Sequence, residues 1–206
     1  MSSTALRVIT GIVAGLVALA VVLFTPERIF AGITLVVLAW AAVEWFRLCG
    51  LAPCQIWPWV VGTVLIAVGW HQFWPADQLV WLMGVAATAW LFLFGTHLRY
   101  RTTRPPGRPF WQRRLIGLVI LPLFWVALVG VHAAPQGEWL LLFGILVVVV
   151  ADSLAYFSGR AFGRHKLAPM ISPGKSVEGV VGGLAGVAVL AAIGAEYCYR
   201  AISARW

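Results

Sequence analysis

The residues with the clearest potential for chemistry lie between Asp152 and Gly183, where an acid precedes a basic, glycine-rich stretch. Polar groups near a membrane boundary are energetically expensive, so they usually serve a purpose. Asp152 follows an apolar run, and its carboxylate could hold a divalent cation, orient a cationic partner, or simply be solvated. One carboxylate makes a poor Mg²⁺ site by itself, because this ion at a phosphate also takes phosphate oxygens and water.

The residues after Asp152 predict one polar helix face followed by a basic loop. If the helix continues, Asp152, Tyr156 and Gly159 share a face by their spacing of four and three residues. The stretch 159–169 is expected to be a loop in which glycines permit sharp turns. A cytoplasmic loop that simply follows the positive-inside rule would explain the cations of this stretch but not its glycine spacing.

A second phosphate-binding signal follows in the stretch 171–179. A Pro-Gly turn precedes a helix whose first turn begins near Ser176, which can act as its N-cap, and Glu178 suits the helix dipole. A helix N-terminus preceded by glycine and lysine is a ready site for a phosphate. The spacing is not that of a P-loop, because Pro169 stands where the first glycine would fall. The candidate ligand-binding residues are therefore Arg160, Arg164, His165, Lys166, Ser172, Gly174, Lys175 and Ser176.

Composition indicates that membrane-spanning helices position these residues. The 206 residues are 62% hydrophobic and 11% charged, whereas a soluble domain would carry roughly a quarter charged residues. We predict an all-α, polytopic membrane protein, since spans of about twenty apolar residues fit the hydrocarbon core. The seven predicted spans are 5–24, 29–46, 57–74, 79–98, 115–131, 138–157 and 177–195.

These spans divide the chain into three parts. Residues 1–98 form an N-terminal region of four spans, 99–114 an Arg- and Pro-rich loop, and 115–206 the C-terminal spans with the polar segment 152–183. A cytoplasmic N-terminus places twelve of the fifteen Lys and Arg residues inside, as the positive-inside rule favours. The segment 152–176 is then expected to face the cytoplasm.

The remaining polar features have simpler explanations. The six arginines of 99–114 are explained by the orientation of the chain in the membrane and by binding to anionic lipid headgroups. The alternative is that they gather an anionic lipid substrate. We expect no nucleic acid partner. The three cysteines predict neither a disulfide framework nor a metal pair. Glycines 179, 182, 183 and 186 give GxxxG spacings, which let membrane helices approach closely within one chain or between chains. A homodimer through 177–195 is therefore possible.

The run ADSLAYFSGRAFGRHKLAPMISPGKSVEGVVGG, residues 151–183, resembles the cytoplasmic segment of the phosphatidate cytidylyltransferases, the CDP-diacylglycerol synthases. The resemblance covers about thirty residues with few departures, and the chain before residue 150 is similar only in general layout. It implies an enzyme of a bacterial inner membrane that transfers CMP from CTP to phosphatidic acid, with Mg²⁺, and releases pyrophosphate. It also implies that Asp152 and Lys175 are catalytic, that Asp152 helps to hold the metal, and that Lys166 and the turn 172–176 engage phosphates.

One departure from the family pattern concerns the C-terminal signature. The family continues into a Lys-Arg pair, a Lys-Asp pair and an H-G-G-x-x-D-R-x-D stretch, and none of these occurs in the 206 residues. We expect a truncated chain that is inactive alone. Two other classes stay open, a CTP-dependent lipid or polyprenol kinase and a non-catalytic membrane scaffold.

Overall fold

The computed structural model describes residues 3–73, 110–169 and 172–203, together with the helical positions 84, 87, 88 and 91. The described chain is mostly helical, and the elements fall into two compact units, 1–88 with 107–142 and 89–106 with 143–206. In chain order the helices and strands are α1 (Ser3–Phe24), α2 (Glu27–Leu48), α3 (Pro53–Phe73), α4 (Phe110–Ala133), α5 (Gly137–Phe162), β1 (Lys166–Ala168), β2 (Ser172–Ser176) and α6 (Val177–Ser203).

Five of the described helices are long and apolar enough to cross a membrane: Glu27–Leu48, Pro53–Phe73, Trp111–Ala133, Gly137–Phe162 and Val177–Ala195. They agree with five of the seven predicted spans. The predicted span 5–24 is helical, but the apolar part of that helix that the structure describes, Ile9–Phe24, is shorter. The predicted span 79–98 lies outside the described residues apart from the four helical positions within it. The chain is an integral membrane protein.

The first unit is built on α2, α3 and α4, which pack against one another. Phe30 and Val129 are almost completely buried in one apolar cluster of this unit, and Phe46 is buried in another. Polar side chains also join its helices, because the indole N–H of Trp125 donates to the Thr34 hydroxyl at 3.0 Å. This unit is a packed helical body, and none of the candidate site residues belongs to it.

The turn between α2 and α3 shows why one helix stops where it does. Gly50 adopts a φ of 75°, the left-handed conformation that glycine tolerates best. The N–H of Leu51 donates to the Phe46 carbonyl at 3.3 Å, and that of Gly50 donates to the Arg47 carbonyl at 2.9 Å. These bonds satisfy carbonyls that the helix end would leave free. The preceding residue, Cys49, is buried, and this burial raises the pKa of its thiol.

The second unit places α5 and α6 in close contact through glycines. A Cβ built on Gly179 would lie 2.8 Å from the carbonyl oxygen of Ala155, and one on Gly183 would lie 2.9 Å from that of Ala151. Added carbons at Gly182 and Gly186 would likewise collide with Ser158 and Leu154. The GxxxG spacing therefore serves packing within the chain. A homodimer through α6 stays a prediction.

The two strands correct the expectation of an all-α fold. β1 and β2 form a two-stranded antiparallel sheet in which Lys166 pairs with Ser176 and Ala168 pairs with Ser172. The sequence predicted an irregular loop here because Pro and Gly interrupt any strand pattern, and because strands of three and five residues are too short to show clear alternation. The hairpin leads directly into α6.

Candidate functional site

One wall of the candidate site is a face of α5. The helix continues ten residues beyond Asp152 to Phe162, so Asp152, Tyr156 and Gly159 do share a face, as the spacing predicted. Arg160 lies beside this face, and its guanidinium donates to the Tyr156 hydroxyl at 3.2 Å. The helix therefore presents a carboxylate, a phenol and a guanidinium along about two turns.

The opposite wall comes from the hairpin and the first turn of α6. Leu167 of β1, Gly174 and Lys175 of β2, and Val180 of α6 line a cleft together with the α5 residues. The cleft has a volume of about 390 Å³, which is within the range of small-molecule sites. Two of its walls carry cationic side chains, Arg160 and Lys175, and the α5 wall adds the Asp152 carboxylate.

Ser176 lies at the junction of these walls and is a structural residue. The residue is 6% exposed, and its hydroxyl accepts the N–H of Gly179 at 3.2 Å, so it caps α6 as predicted. Added Cβ atoms at Gly159 and Gly163 would lie 3.0 and 2.9 Å from this hydroxyl oxygen. The small residues around Ser176 therefore allow the hairpin, α5 and α6 to meet.

The two glycines of the basic stretch have a different role from the one that the sequence suggested. Gly159 is inside α5, and Gly163 follows directly after the last helical residue, Phe162. Neither adopts a positive φ, so neither position needs a conformation that only glycine tolerates, and Gly159 makes no turn because it lies within the helix. Both lie at close contacts. An added Cβ at Gly159 would first meet the Ser176 hydroxyl, whereas one at Gly163 would first collide with the Gly159 carbonyl oxygen and then meet Ser176.

The structure brings together five of the nine candidate site residues. Asp152, Arg160, Gly174, Lys175 and Ser176 line the cleft. Arg164, His165, Lys166 and Ser172 are outside its lining: the first two connect α5 to the hairpin, and the last two lie in strands that pair with each other. The cationic residues predicted as one group are therefore divided between the cleft and the base of the hairpin.

His165 has a partner that the sequence did not predict. Its Nδ1 lies 2.6 Å from Oε1 of Glu178, and its backbone N–H donates to both oxygens of the same carboxylate at 3.2 Å. The two residues are thirteen positions apart in the sequence, and the hairpin brings them together. The hydrogen bond between Arg160 and the Tyr156 hydroxyl was also not predicted. The spacing of Tyr156 placed it on the Asp152 face, but nothing in the sequence showed that its hydroxyl would meet Arg160.

The charges of the cleft suit an anion with several negative oxygens. Within the described part of the chain, Asp152 and Lys175 form no ion pair, and the guanidinium of Arg160 donates to the Tyr156 hydroxyl. Cationic donors with no carboxylate partner are available to phosphate oxygens, with which they form strong charge-assisted hydrogen bonds. The arrangement can therefore bind a phosphate group between α5 and the hairpin.

The same cleft offers little to a metal ion on its own. Among the described residues no three His, Cys, Asp or Glu side chains lie close enough to form a metal site. Asp152 is the acidic residue that lines the cleft. This donor set fits a Mg²⁺ ion that takes most of its ligands from the phosphates of a bound molecule and from water.

Comparison with known proteins gives the family. The model of the Cytidylyltransferase family matches residues 5–205. The chain belongs to this family. A protein of Pseudomonas aeruginosa named phosphatidate cytidylyltransferase is 36% identical to it over 183 residues, which are 87% of this chain and 66% of that protein. A protein of the same name from Haemophilus influenzae is 38% identical over 128 residues, 57% of this chain and 43% of that protein.

Further relatives in the cytidylyltransferase family match a shorter part of the chain. The phosphatidate cytidylyltransferase of Staphylococcus saprophyticus is 55% identical over 49 residues, which are 24% of this chain and 19% of that protein. The chain thus spans at most about two thirds of the length of these relatives. No solved structure matches it.

Proposed function

We propose that this member of the cytidylyltransferase family acts in the transfer of CMP from CTP to phosphatidic acid, giving CDP-diacylglycerol and pyrophosphate. The family match and the names of the relatives support this reaction. The assignment of this reaction to particular residues rests on the cleft between α5 and the hairpin. There Arg160 and Lys175 face a space large enough for a phosphate-bearing ligand.

The reaction requires the kind of charge that the cleft provides. An oxygen of the lipid phosphate attacks the α-phosphorus of CTP, a new P–O bond forms, and the bond to the β-phosphate oxygen breaks to release pyrophosphate. Both reactants are anions, so cations that neutralise charge in the transition state lower the barrier. Arg160 and Lys175 would bind the phosphates from opposite walls. Because the lipid phosphate is itself the nucleophile, no serine and histidine pair is needed.

Magnesium is part of this proposal, with Asp152 as its protein ligand. When bound, the ion would neutralise phosphate charge and align the triphosphate. Asp152 would hold it from the α5 wall, and the phosphates and water would supply the other ligands.

The location of the cleft agrees with a reaction between a soluble nucleotide and a lipid. Asp152 lies ten residues before the end of α5, which is about 15 Å along the helix at 1.5 Å per residue. The hairpin, with its mostly exposed strands, would face the cytoplasm of a bacterium and receive CTP. The membrane-spanning α5 and α6 would bring the cleft to the lipid phosphate at the surface of the inner membrane.

The products of CTP turnover test the reaction class. Cytidylyl transfer releases pyrophosphate, whereas a CTP-dependent lipid or polyprenol kinase would release CDP. We expect turnover of CTP in the presence of phosphatidic acid and Mg²⁺ to give CDP-diacylglycerol and pyrophosphate. Release of CDP with a phosphorylated lipid would favour the kinase, and the lack of any CTP binding would favour a scaffold.

A further inference from the structure

The hairpin that carries Lys175 needs support from outside its own strands. β1 has three residues and β2 has five, and their register shifts between Lys166 and Ala168. In β2, Pro173, Gly174 and Lys175 are exposed. A two-stranded hairpin is at best marginally stable in water. Strand pairing alone would therefore leave the ammonium of Lys175 without a fixed position relative to α5.

The support is found at the base of the hairpin, where α6 begins. The carbonyl of His165 accepts the N–H of Val177 at 2.9 Å. Both carboxylate oxygens of Glu178 accept the His165 N–H at 3.2 Å, and Oε1 also contacts the His165 ring at 2.6 Å. The residue that precedes β1 is thus bound at its N–H, its carbonyl and its ring by the first two residues of α6.

Glu178 is not part of the cleft lining, so it would not touch a ligand there. Its side chain is 25% exposed, compared with 78% for that of His165, which places the carboxylate between the helix and the hairpin base. Lys175 is three residues earlier, in the strand that the hairpin base holds. Glu178 can therefore influence a bound phosphate through the position of the hairpin.

The helix dipole does not explain these contacts. The helix dipole stabilises an acidic side chain in the first turn whether or not that side chain contacts another part of the protein. Glu138 occupies the same second position in α5, and among the described residues its carboxylate forms no hydrogen bond or ion pair with a distant part of the chain. Glu178, by contrast, accepts donors from a residue thirteen positions away.

We propose that Glu178 is a positioning residue, whose carboxylate fixes the hairpin base through His165 and thereby holds Lys175 against the cleft. The effect on ligand binding rests on the proposed function. The fixing of the hairpin does not, so the two parts can be tested separately.

The first test compares Glu178→Met with Glu178→Gln. Met has nearly the length of Glu and a good helix propensity but no strong acceptor, whereas Gln retains one oxygen for the His165 N–H. We expect Glu178→Met to weaken Mg²⁺–CTP binding about tenfold, and Glu178→Gln to restore most of the affinity, in line with the loss of a hydrogen bond to a charged group. Glu138→Met is the matched control and should bind as the unchanged chain does.

A double-mutant cycle shows whether Glu178 acts through Lys175. If it does, Glu178→Met added to Lys175→Ala should weaken CTP binding by less than twofold further, because the lysine whose position it controls is already gone. Independent, multiplicative losses would overturn the proposal. Equal affinity of the Glu178→Met variant and the unchanged chain would overturn it as well.

The position of the hairpin can be measured without any nucleotide. Spin labels at Ala161→Cys, near the end of α5, and Ser172→Cys, in β2, are introduced with Cys49, Cys54 and Cys198 replaced by alanine. We expect a narrow distance distribution for Glu178 and for Glu178→Gln, and a clearly broader one for Glu178→Met. An unchanged width in Glu178→Met would overturn the positioning role. If the unchanged chain binds no CTP, the proposed function fails, and the distance measurement still decides whether Glu178 fixes the hairpin.

Discussion

The close packing of α5 against α6 predicts that a single methyl group at Gly179 will be costly. In Gly179→Ala the new carbon would lie 2.8 Å from the Ala155 carbonyl oxygen and 3.4 Å from the Gly159 Cα. Both neighbours are backbone atoms, which cannot rotate away as a side chain can, so the two helices must separate. Overpacking of this kind typically costs about 1–3 kcal/mol.

The gain in helix propensity offsets only part of that cost. Replacing a helical glycine by alanine returns about 0.5–1 kcal/mol. The net loss therefore lies between about 0 and 2.5 kcal/mol, and because both neighbours are backbone atoms we expect the upper half of this range. In a chain of this size each kcal/mol corresponds to about 2–4 °C in melting temperature. Thermal unfolding in detergent should therefore show a decrease of several degrees, and CTP binding should weaken because the cleft walls move apart.

Gly144→Ala is the matched control, because Gly144 is also in the α5–α6 unit but has no atom within 4 Å of an added Cβ. This variant should unfold at the same or a slightly higher temperature. If Gly179→Ala is as stable as Gly144→Ala and binds CTP equally well, the helices do not pack through Gly179. The description of the cleft walls would then be incorrect.

Two further predictions concern the helix cap and the cysteines. Ser176→Ala removes the acceptor of the Gly179 N–H and should destabilise the chain by about 0.5–2 kcal/mol. The melting temperature should therefore fall. An unchanged melting temperature would exclude Ser176 as the N-cap of α6. In single-cysteine variants, a membrane-impermeant maleimide at pH 7 should label Cys54 much faster than Cys49. Cys54 is exposed, whereas Cys49 is 3% exposed and burial raises the pKa of its thiol. In oriented vesicles, labelling of Cys54 from the periplasmic side would contradict a cytoplasmic N-terminus.

The sequence predicted the helices of this protein better than the site between them. Long apolar runs determine α2, α4 and α5, because a run of about twenty apolar residues can satisfy its own backbone hydrogen bonds in a bilayer as a helix. The Asp152 face was predictable for the same reason, since the period of a helix fixes which residues share a side. Ser176 was predictable as an N-cap because capping depends on residue type next to a helix start.

The hairpin and its contacts could not be predicted in this way. Gly159 and Gly163 were expected to permit turns, yet Gly159 lies inside α5, and both have little room for a side chain because Ser176 approaches them, with the Gly159 carbonyl also beside Gly163. The need for a small residue at such a position arises from contacts between parts of the fold, and a local sequence pattern does not show those contacts. The pairing of His165 with Glu178 similarly depends on where the hairpin returns the chain, as does the absence of His165 from the cleft lining.

The most direct test of the central claim is Mg²⁺-dependent CTP binding to the purified chain, compared with Asp152→Ala and Lys175→Ala. Because hydrogen bonds to charged groups contribute about 1.5–3 kcal/mol, we expect the lysine variant to bind CTP about 10- to 100-fold more weakly. The aspartate variant should lose most of the dependence on Mg²⁺. Arg28→Ala and Glu27→Gln, at exposed positions of α2, remove the same charges elsewhere and should leave binding unchanged. CTP binding that is equally strong in all five chains would contradict the assignment of the nucleotide to this cleft.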